Sequence, residues 1–343
     1  MRAGQELYVR TPLLLFTIFS HLDVSRGGGM FIQFNPGKNS MMASAFLLTV
    51  FGPAAQADSS TALSQVNVIG DPASVYEIPG SAHYLDYEDI REFSYDDINR
   101  VLRRIPGVYI REEDGYGLFP NISLRGVDTT RSSKVTLMED GILAAPAPYA
   151  APSAYYSPTT GRMSGLEVLK GTSQVKYGPH TTGGAINYIS TPIPLSQRTF
   201  LRAQFGEDNE YRAHLIHGDT IDTQAGRFGY LIEGYLRDTE GFKTIDGAPG
   251  ITNANETGFH NIEPMIKLAW EPASAVYQRL ELKYGHTDKV ADETYLGLST
   301  ADFRADPFRR YSASRFDEIS TEHHRSYLRY FLSPTENLDI VTT

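Results

Sequence analysis

The chain has 343 residues, enough for two or three domains, and a formal net charge of −10. Non-specific binding to nucleic acid requires a basic surface, so this acidic balance argues against a nucleic-acid partner. Cysteine is absent, which excludes disulfides, thiolate metal sites and a cysteine nucleophile. No apolar run reaches the length of about 18 residues that a membrane-spanning helix needs, so we expect any membrane crossing to use strands.

The amino terminus is predicted to be a targeting segment over residues 1–57. A basic residue precedes the apolar run Met42–Phe51, and the small-residue pattern Ala55-Gln56-Ala57 follows it. A basic flank, an apolar centre and a small-residue exit make a secretory signal, so we expect cleavage after Ala57. The stretch before Met30 adds nothing to this signal, which indicates an over-extended start with Met30 or Met41 as the initiator.

Residues 58–80 are predicted to be a linker with one β-prone run. That run is Gln65-Val66-Asn67-Val68-Ile69, and glycines and prolines bracket it. A strand this isolated cannot satisfy its own backbone groups. We therefore expect it to stay mobile or to pair with the sheet edge of another protein.

A helix is predicted to begin at Ser94, with Ser94 as the N-cap and Asp97 three residues later in an arrangement close to a capping box. Apolar residues then recur at helical spacing, at Ile98, Val101, Leu102 and Ile105. Pro106-Gly107 ends the helix.

Short strands are predicted to complete a compact α+β domain over residues 81–195. They are Val108–Ile110, Ile122–Arg125, Lys134–Met138, Leu166–Leu169 and Ala185–Ser190. The segment Ala144–Pro158 is too rich in proline for a helix or a ladder. The acidic run Glu112–Gly115 is interpreted as a solvated turn rather than a cation site.

Longer alternating strands are predicted over residues 196–343. In Arg279–His286, for example, apolar residues on one face oppose Arg279, Glu281 and Lys283 on the other. So many charges exclude a dry sandwich core, and a soluble sheet with one wet face is the alternative to a membrane barrel. Short turns alternate with longer loops, notably Asp238–Asn261 and Asp288–His323, which favours the barrel. We count six complete strands and the start of a seventh after Asn337.

Familiar catalytic motifs are absent from the sequence, so we expect that the protein is not an enzyme. The adjacent pair His323-His324 lacks the spacing of metal ligands and is interpreted as solvated. No direct metal site and no cofactor are expected.

A series of motifs in fixed order runs from Asn121 to Pro192. It comprises Ser123-Leu124-Arg125-Gly126, Val135-Thr136-Leu137-Met138-Glu139-Asp140-Gly141, Leu166-Glu167-Val168-Leu169-Lys170-Gly171, Tyr177-Gly178 and Gly183-Gly184-Ala185-Ile186-Asn187. Together these motifs resemble the plug of TonB-dependent outer-membrane receptors. The run Gln65–Ile69 lies where that family carries its TonB box. Within the family, Ala147–Pro152 and Asp292–Leu298 look most like the ferric-citrate receptor group.

This resemblance implies an α+β plug domain followed by the first strands of an antiparallel transmembrane β-barrel of about 22 strands, so we expect the chain to be an amino-terminal fragment. It implies an outer-membrane location in a Gram-negative bacterium, TonB with its inner-membrane complex as partner, and a ferric chelate such as ferric citrate or another siderophore as ligand. Iron would arrive already chelated. Uptake of cobalamin or a carbohydrate, or a non-functional truncated receptor, remains the alternative.

Two sets of site residues follow from these expectations. An anionic chelate needs arginine and hydroxyl donors, and the candidates are Arg131, Ser132, Ser133, Tyr149, Arg309 and Arg310. Structural roles in the plug are expected for Arg125, Gly126, Asp140, Gly141, Gly171, Tyr177, Gly178, Gly183 and Gly184. Arg125 is expected to be a plug–barrel ion-pair partner rather than a ligand.

The targeting prediction has a direct test. Amino-terminal sequencing of the mature protein from a Gram-negative host should read from Asp58, because cleavage follows the small-residue exit of the signal. A mature protein that starts far from Asp58 would contradict the assignment.

Overall fold

The computed structural model describes residues 5–9, 69, 73–145, 156–177, 182–247 and 257–343. The targeting segment beyond residues 5–9, residues 65–68 of the β-prone run, Tyr149 and Gly178 lie outside the described residues. In the part of the chain that is described, no helix combines the length and the apolar composition needed to cross a bilayer.

The strands, in chain order, are β1 (Gln5–Val9), β2 (Ser81–Leu85), β3 (Val108–Arg111), β4 (Asn121–Leu124), β5 (Val135–Glu139), β6 (Ile142–Ala145), β7 (Met163–Lys170), β8 (Gly184–Ser190), β9 (Arg198–Phe205), β10 (Tyr211–Thr223), β11 (Gly226–Thr239), β12 (Thr244–Ile245), β13 (Phe259–Pro272), β14 (Tyr277–Ala291), β15 (Arg309–Arg310), β16 (Ile319–Thr335) and β17 (Leu338–Thr342). The α-helices are α1 (Tyr87–Arg91), α2 (Ile98–Leu102) and α3 (Thr300–Ala305). Short 3₁₀ turns occur at Ser74–Glu77, Thr130–Ser132, Thr160–Arg162, Thr172–Tyr177 and Ser312–Ser314.

The mixed domain is built on a five-stranded sheet in the order β2-β7-β8-β5-β6. β5 and β8 run parallel, and the other neighbours run antiparallel. Helices α1 and α2 bury Ile90, Ile98 and Leu102 in one core with residues of the central strands such as Leu166 and Ile186. Every residue of β5 and β8 is buried, so the centre of this sheet is covered on both faces.

The predicted helix is present but begins later than expected. Asp97, not Ser94, is the N-cap of α2, because its side chain accepts a hydrogen bond from the amide of Asn99 at 2.8 Å. Ser94 has a positive φ of 53° and closes the turn after α1 with a bond to the carbonyl of Arg91. The helix α1 was not predicted; Asp86 and Asp89 form its capping box.

The expected strands of the mixed domain are confirmed, with ends that differ by a few residues, and β2 and β6 are additional. Gly184 opens β8 at a φ of 153° where no side chain fits. A Cβ there would lie 2.1 Å from Leu124 Cδ1 and 2.6 Å from the carbonyl oxygen of Leu169. The Gly-Gly pair therefore lets β8 enter between β7 and β5, which explains its place in the motif series.

The second body is a sheet in the order β1-β9-β10-β11-β13-β14-β16-β17, and its strands are antiparallel from β9 to β17. The six complete strands expected after residue 196 are β9, β10, β11, β13, β14 and β16, and β17 is the seventh, so that expectation is confirmed. β13 and β14 have 14 and 15 residues, longer than their alternating cores indicated. The two long loops are therefore shorter than expected, at 240–258 and 292–318.

The large sheet has an apolar outward face and a charged inward face, as the alternation predicts. On β13, Ile266 and Leu268 are 37% and 43% exposed, whereas Lys267 between them is 1% exposed. β14 repeats the pattern, with Leu282 outward and Lys283 buried. A soluble sheet buries its apolar face and wets its charged one, so this arrangement is the reverse of a soluble sheet.

Candidate functional site

A buried network of ions joins the mixed domain to the inward face of the large sheet. It is defined here as the charge network and consists of Glu139, Asp140 and Arg162 from the first body with Glu263, Lys267, Lys283 and Arg325 from strands of the second. All seven side chains are less than one-tenth exposed. Ions buried to this extent require partners, and each body supplies the counter-charges of the other.

Lys283 lies at the centre of the charge network. Its Nζ lies 2.5 Å from Glu139 Oε1 and 2.6 Å from Asp140 Oδ2, and it donates to Ser190 Oγ at 2.9 Å. Arg162 holds the other side of Glu139, with Nη2 2.8 Å from Oε2, and its Nε donates to Glu263 on β13. A single lysine therefore bridges the carboxylates of Glu139, the last residue of β5, and Asp140, in the turn that follows.

The two carboxyl groups of that turn stay ionised although they are buried. Burial alone would raise the pKa of Glu139, but Arg162 and Lys283 hold it well below its usual range. Burial acts in the same way on Asp140, where Lys267 and Lys283 lower the pKa. Both groups therefore stabilise the fold at neutral pH, and this contribution is lost only in strong acid, as the pH falls through their lowered pKa values.

A chain of hydrogen bonds connects Ile69, the last residue of the β-prone run, to this network. The amide of Ile69 donates to Glu167 Oε1 at 2.7 Å, and Glu167 Oε2 accepts from Asn187 Nδ2 at 2.7 Å. Asn187 Oδ1 in turn accepts from the amide of Gly141 at 2.8 Å, next to Asp140. The start of the mixed domain and the inner face of the large sheet are thus three side chains apart.

The long loops 240–258 and 292–318 of the sheet meet the mixed domain at one end, here called the apical junction. Arg131, 5% exposed and at a φ of 46°, has its Nη2 2.6 Å from both Glu113 Oε1 and the hydroxyl of Tyr295. Its guanidinium also lies over the rings of Phe119 and Tyr295. Arg131 therefore ties the mixed domain to the loop that follows β14.

Asp114 organises the mixed-domain side of the apical junction. Its carboxylate accepts hydrogen bonds from the amides of Tyr116, Gly117 and Phe119 at 2.6 to 2.9 Å, and it is 3% exposed. The interpretation of the acidic run as a solvated turn is therefore wrong for Asp114. The turn it shapes places Tyr116 in edge contact with Phe242 in the adjacent loop.

Lys243 and Glu293 connect the two long loops to each other and to the mixed domain. Lys243 Nζ lies 3.2 Å from Glu293 Oε2 and donates to the carbonyl of Asp114 at 3.2 Å. Burial raises the pKa of Glu293 to about 7, although the neighbouring Lys243 opposes this shift. The carboxyl group therefore changes charge close to neutral pH, at the point where the loops contact the mixed domain.

Arg309 and Arg310, two further predicted ligand residues, are engaged in contacts within the protein. Arg309 pairs with Asp246 and Asp302 at 2.6 and 2.7 Å, with its side chain 29% exposed. Arg310, 4% exposed, donates to the carbonyls of Asp292 and Ser314. β12 and β15 form a two-stranded parallel sheet that joins the two long loops. These contacts hold the loops, and ligand binding by the arginines stays a prediction.

Ser132, Ser133 and Arg125 make different contacts and do not come together in one pocket. Ser132 is buried, donates to the carbonyl of Pro120 and accepts from the amide of Ile122, while Ser133 is half-buried. Arg125 is exposed at a φ of 58°, and its guanidinium lies against Gly171. Among the described residues Arg125 makes no ion pair with the large sheet, so Arg162 rather than Arg125 has the role that was expected of Arg125.

The remaining motif residues occupy turns and strand starts of the mixed domain. Asp140 and Gly141 both have positive φ in the turn between β5 and β6, and Gly126 and Gly171 have positive φ after β4 and β7. Gly183 donates its amide to the carbonyl of Lys134, and Tyr177 packs on a small core that includes Ile69. Of these residues, Asp140 alone is also in the charge network. Sequence reasoning missed Arg162 and Lys283, whose partners are distant in the sequence.

The chain was compared with protein families, curated proteins and solved structures. Residues 61–185 match the family model of the TonB-dependent Receptor Plug Domain. Over these residues the mixed domain is similar to the plug of TonB-dependent receptors. It precedes antiparallel strands of the barrel type found in such receptors, which confirms the expected fold class.

Two solved structures illustrate the likeness in fold. The ferric citrate transporter FecA in its unliganded form is similar with a TM-score of 0.65 and 23% identity, over 81% of this chain and 41% of that one. The siderophore receptor PirA from Acinetobacter baumannii is similar with a TM-score of 0.55 and 19% identity, over 75% of this chain and 38% of that one. At these identities the likeness shows the fold.

Among curated proteins, the vitamin B12 transporter BtuB of Vibrio vulnificus (strain CMCP6) is 25% identical over 181 residues. The alignment covers 53% of this chain and 28% of that transporter. The chain thus aligns with less than a third of the length of this relative. The relatives are transporters and receptors rather than enzymes, which supports the non-enzyme expectation.

Removal of Lys283 should destabilise the contact between plug and sheet. In Lys283→Met, Glu139 and Asp140 lose the cation that bridges them while they stay buried. We expect the free energy of unfolding to fall by about 3–5 kcal/mol. Denaturant unfolding of the full chain in detergent measures it.

A matched control for Lys283→Met is Arg227→Met on β11. Arg227 is 40% exposed and pairs with Asp222, which is 79% exposed, and at a longer distance of 3.8 Å with Glu271. An exposed pair contributes about 0–1 kcal/mol, so this variant should unfold close to the wild type. Equal losses of unfolding free energy in the two variants would show that burial does not make the contacts of Lys283 more stabilising than those of an exposed pair.

Glu293 should give the fold a pH dependence between pH 4.5 and about 7. Because its pKa rises to about 7 on folding, the folded state binds this proton more tightly than the unfolded state. Its contribution to stability is therefore favourable in acid and declines as the pH rises through this window, by up to about 3 kcal/mol. In Glu293→Gln the free energy of unfolding, measured by denaturation at a series of pH values, should change less with pH over this window.

The control for this profile is Glu336→Gln, at an exposed turn between β16 and β17. Its profile should follow that of the wild type. A Glu293→Gln profile that keeps the wild-type slope would contradict the assignment.

Proposed function

We propose that the chain is part of a TonB-dependent receptor in the outer membrane of a Gram-negative bacterium, which takes up a ferric chelate, ferric citrate or another siderophore. The observation that carries the proposal is the charge network. It anchors a plug domain to the inner face of a sheet whose outer face is apolar. A plug held to the sheet by ion pairs suits regulated passage of a ligand. Ion pairs can exchange partners when the plug moves, whereas an apolar contact would have to be exposed to water.

The outward face supports placement of the sheet in a membrane. Ile232, Leu268, Leu282 and Leu328 are 42–57% exposed on four neighbouring strands. Exposed apolar residues in a continuous band are the mark of a surface that lipid covers.

Energy for uptake has to come from outside the outer membrane, and TonB is the proposed source. The run Gln65–Ile69 would add as a strand to an edge of TonB in the periplasm. Ile69, at its end, is already hydrogen-bonded to Glu167 at 2.7 Å. A pull on the run would therefore act first on Glu167, then on Asn187 and the turn that carries Asp140.

The apical junction is the proposed ligand site. An anionic chelate requires charge-assisted donors, and the candidates remain Arg131, Ser132, Ser133, Tyr149, Arg309 and Arg310. Arg309 is the best placed of the arginines, because its side chain is 29% exposed and its carboxylate partners are partly exposed too. Carboxylates of the ligand would replace Asp246 and Asp302 as its partners.

A cobalamin is the second candidate substrate, since a vitamin B12 transporter is 25% identical over about half of this chain. A cobalamin is not a polyanion and would not depend on the arginines. Uptake of a carbohydrate would likewise not depend on the arginines, which would distinguish it from uptake of an anionic ferric chelate.

Uptake assays separate these candidates. The complete gene would be expressed in a TonB-containing host that lacks its own receptors, and uptake of radiolabelled iron citrate and of radiolabelled cobalamin would be measured. We expect TonB-dependent iron uptake, at least about tenfold lower in Arg309→Ala because one charge-assisted contact contributes about 1.5–3 kcal/mol.

Arg315→Ala is the matched control for Arg309→Ala. Arg315 lies in the same loop, is exposed and stacks on Phe316 without an ion pair among the described residues. Its variant should transport at the wild-type rate. Uptake of cobalamin but of no iron chelate would overturn the iron assignment, and uptake that continues without TonB would overturn the mechanism.

A further inference from the structure

The adjacent histidines His323 and His324 lie on opposite faces of β16. His323 points inward and stacks on Tyr156 with the ring centroids 3.8 Å apart, so the interpretation of this residue as solvated is wrong. His324 points outward and is exposed. The pair cannot act as one site, because neighbouring residues of a strand point to opposite faces.

His324 has a different histidine beside it. His286 on β14 is its direct partner in the register between these strands, and the two ring centroids are 4.5 Å apart. Although the ring is only half-buried, Nδ1 of His286 is shielded from solvent and has no hydrogen-bond partner among the described residues. No hydrogen bond among the described residues therefore occupies this nitrogen of His286.

Glu322 supplies a carboxylate to the same place. It is the preceding outward residue on β16, and its Oε1 lies 3.2 Å from His324 Nε2. The ligand atoms of Glu322, His286 and His324 all lie within 4.8 Å of one another. A tetrahedral zinc ion with bonds of about 2.0–2.2 Å requires ligand atoms about 3.4 Å apart, so side-chain rotation has to shorten the longest of these separations by at most about 1.4 Å.

Tyr284 orients the site from the side. Its hydroxyl lies 2.9 Å from Nδ1 of His324, which leaves Nε2 of that ring to face Glu322. A hydrogen bond to the nitrogen that does not bind the metal fixes the ring and its tautomer, and it is a regular feature of histidine metal ligands.

The site lies at the upper limit of the apolar band. On β14, Leu280, Leu282 and Tyr284 face outward, and His286 follows as the next outward residue towards the loop 292–318. Glu322 and His324 are exposed and His286 is half-buried, so the cluster is accessible at the surface of the sheet on the side of that loop.

We propose that His286, Glu322 and His324 bind a divalent transition-metal ion of the zinc class, with water as the remaining ligand. Two imidazoles and one carboxylate suit zinc or copper, whereas calcium and magnesium require oxygen ligands. The bound ion cross-links β14 to β16 beneath the loop 292–318. This site is on the outer face of the sheet and is independent of the proposed uptake.

Calorimetric titration of zinc chloride into the full chain, untagged and in detergent, tests the proposal. We expect one saturable site with a Kd below about 10 µM at pH 7.5. His286→Ala and His324→Gln should each weaken binding at least about tenfold. Cobalt(II) in place of zinc should give the visible absorption of a tetrahedral ion in the wild type and lose it in both variants.

His217→Ala is the matched control. His217 also faces outward and also contacts a tyrosine hydroxyl across the strands, that of Tyr230 at 3.1 Å. It belongs to no group of three metal-binding side chains in the part of the chain that the structure describes. Its variant should bind zinc as the wild type does. No saturable binding to the wild type up to about 1 mM, or unchanged binding in His286→Ala and His324→Gln, would overturn the proposal.

Discussion

The burial of full charges between plug and sheet is the constraint on which the rest of this structure depends. Lys267 and Lys283 have lost their water, and without Glu139 and Asp140 their burial would be prohibitively unfavourable. The same pairs fix the register, because a slip by one residue would turn every lysine outward and every leucine inward. Plug and wall are therefore specified together rather than as two independently stable layers.

The loops of the apical junction are also held to the plug by polar and charged contacts, and these contacts are more exposed than the charge network. Arg131 joins plug to loop through Tyr295, and the short parallel sheet of β12 and β15 joins loop to loop. The described residues at this end of the sheet are held by these contacts before any ligand arrives, so less conformational entropy remains for them to lose when one binds.

The local sequence pattern was sufficient to predict the strands of the large sheet. It was not sufficient to predict which residues those strands contact. Alternation identified β13 and β14 because period two is a property of neighbouring residues. It made both strands too short at their loop ends, since His260 and Asn261 on β13 and Asp288 and Lys289 on β14 are polar and continue the ladder. The N-cap of α2 was wrongly assigned because Ser94 and Asp97 both carry capping side chains, and only the backbone conformation decides between them.

The candidate site was the least predictable part for a related reason. Glu139 and Lys283 are separated by 144 positions, so nothing local in either segment signals the contact. Asp140 was recognised through a motif but assigned only to a turn, and its side chain turned out to belong to the charge network. Arg125 in the neighbouring motif was given the ion-pair role that Arg162 has.

The order of strands in the plug has a mechanical consequence. β2 follows Ile69 in the chain, lies at the edge of the plug sheet and is held to β7 by five residue pairs. Under the proposed function, tension that breaks the bond between Ile69 and Glu167 passes along the backbone to this edge strand before it reaches the fully buried β8 and β5. An edge strand that is pulled from its end separates from its neighbour one residue pair at a time. The peak force is therefore set by one pair and not by all the pairs between β2 and β7 together. The plug could then be partly unravelled by a modest, sustained pull while its centre stays folded.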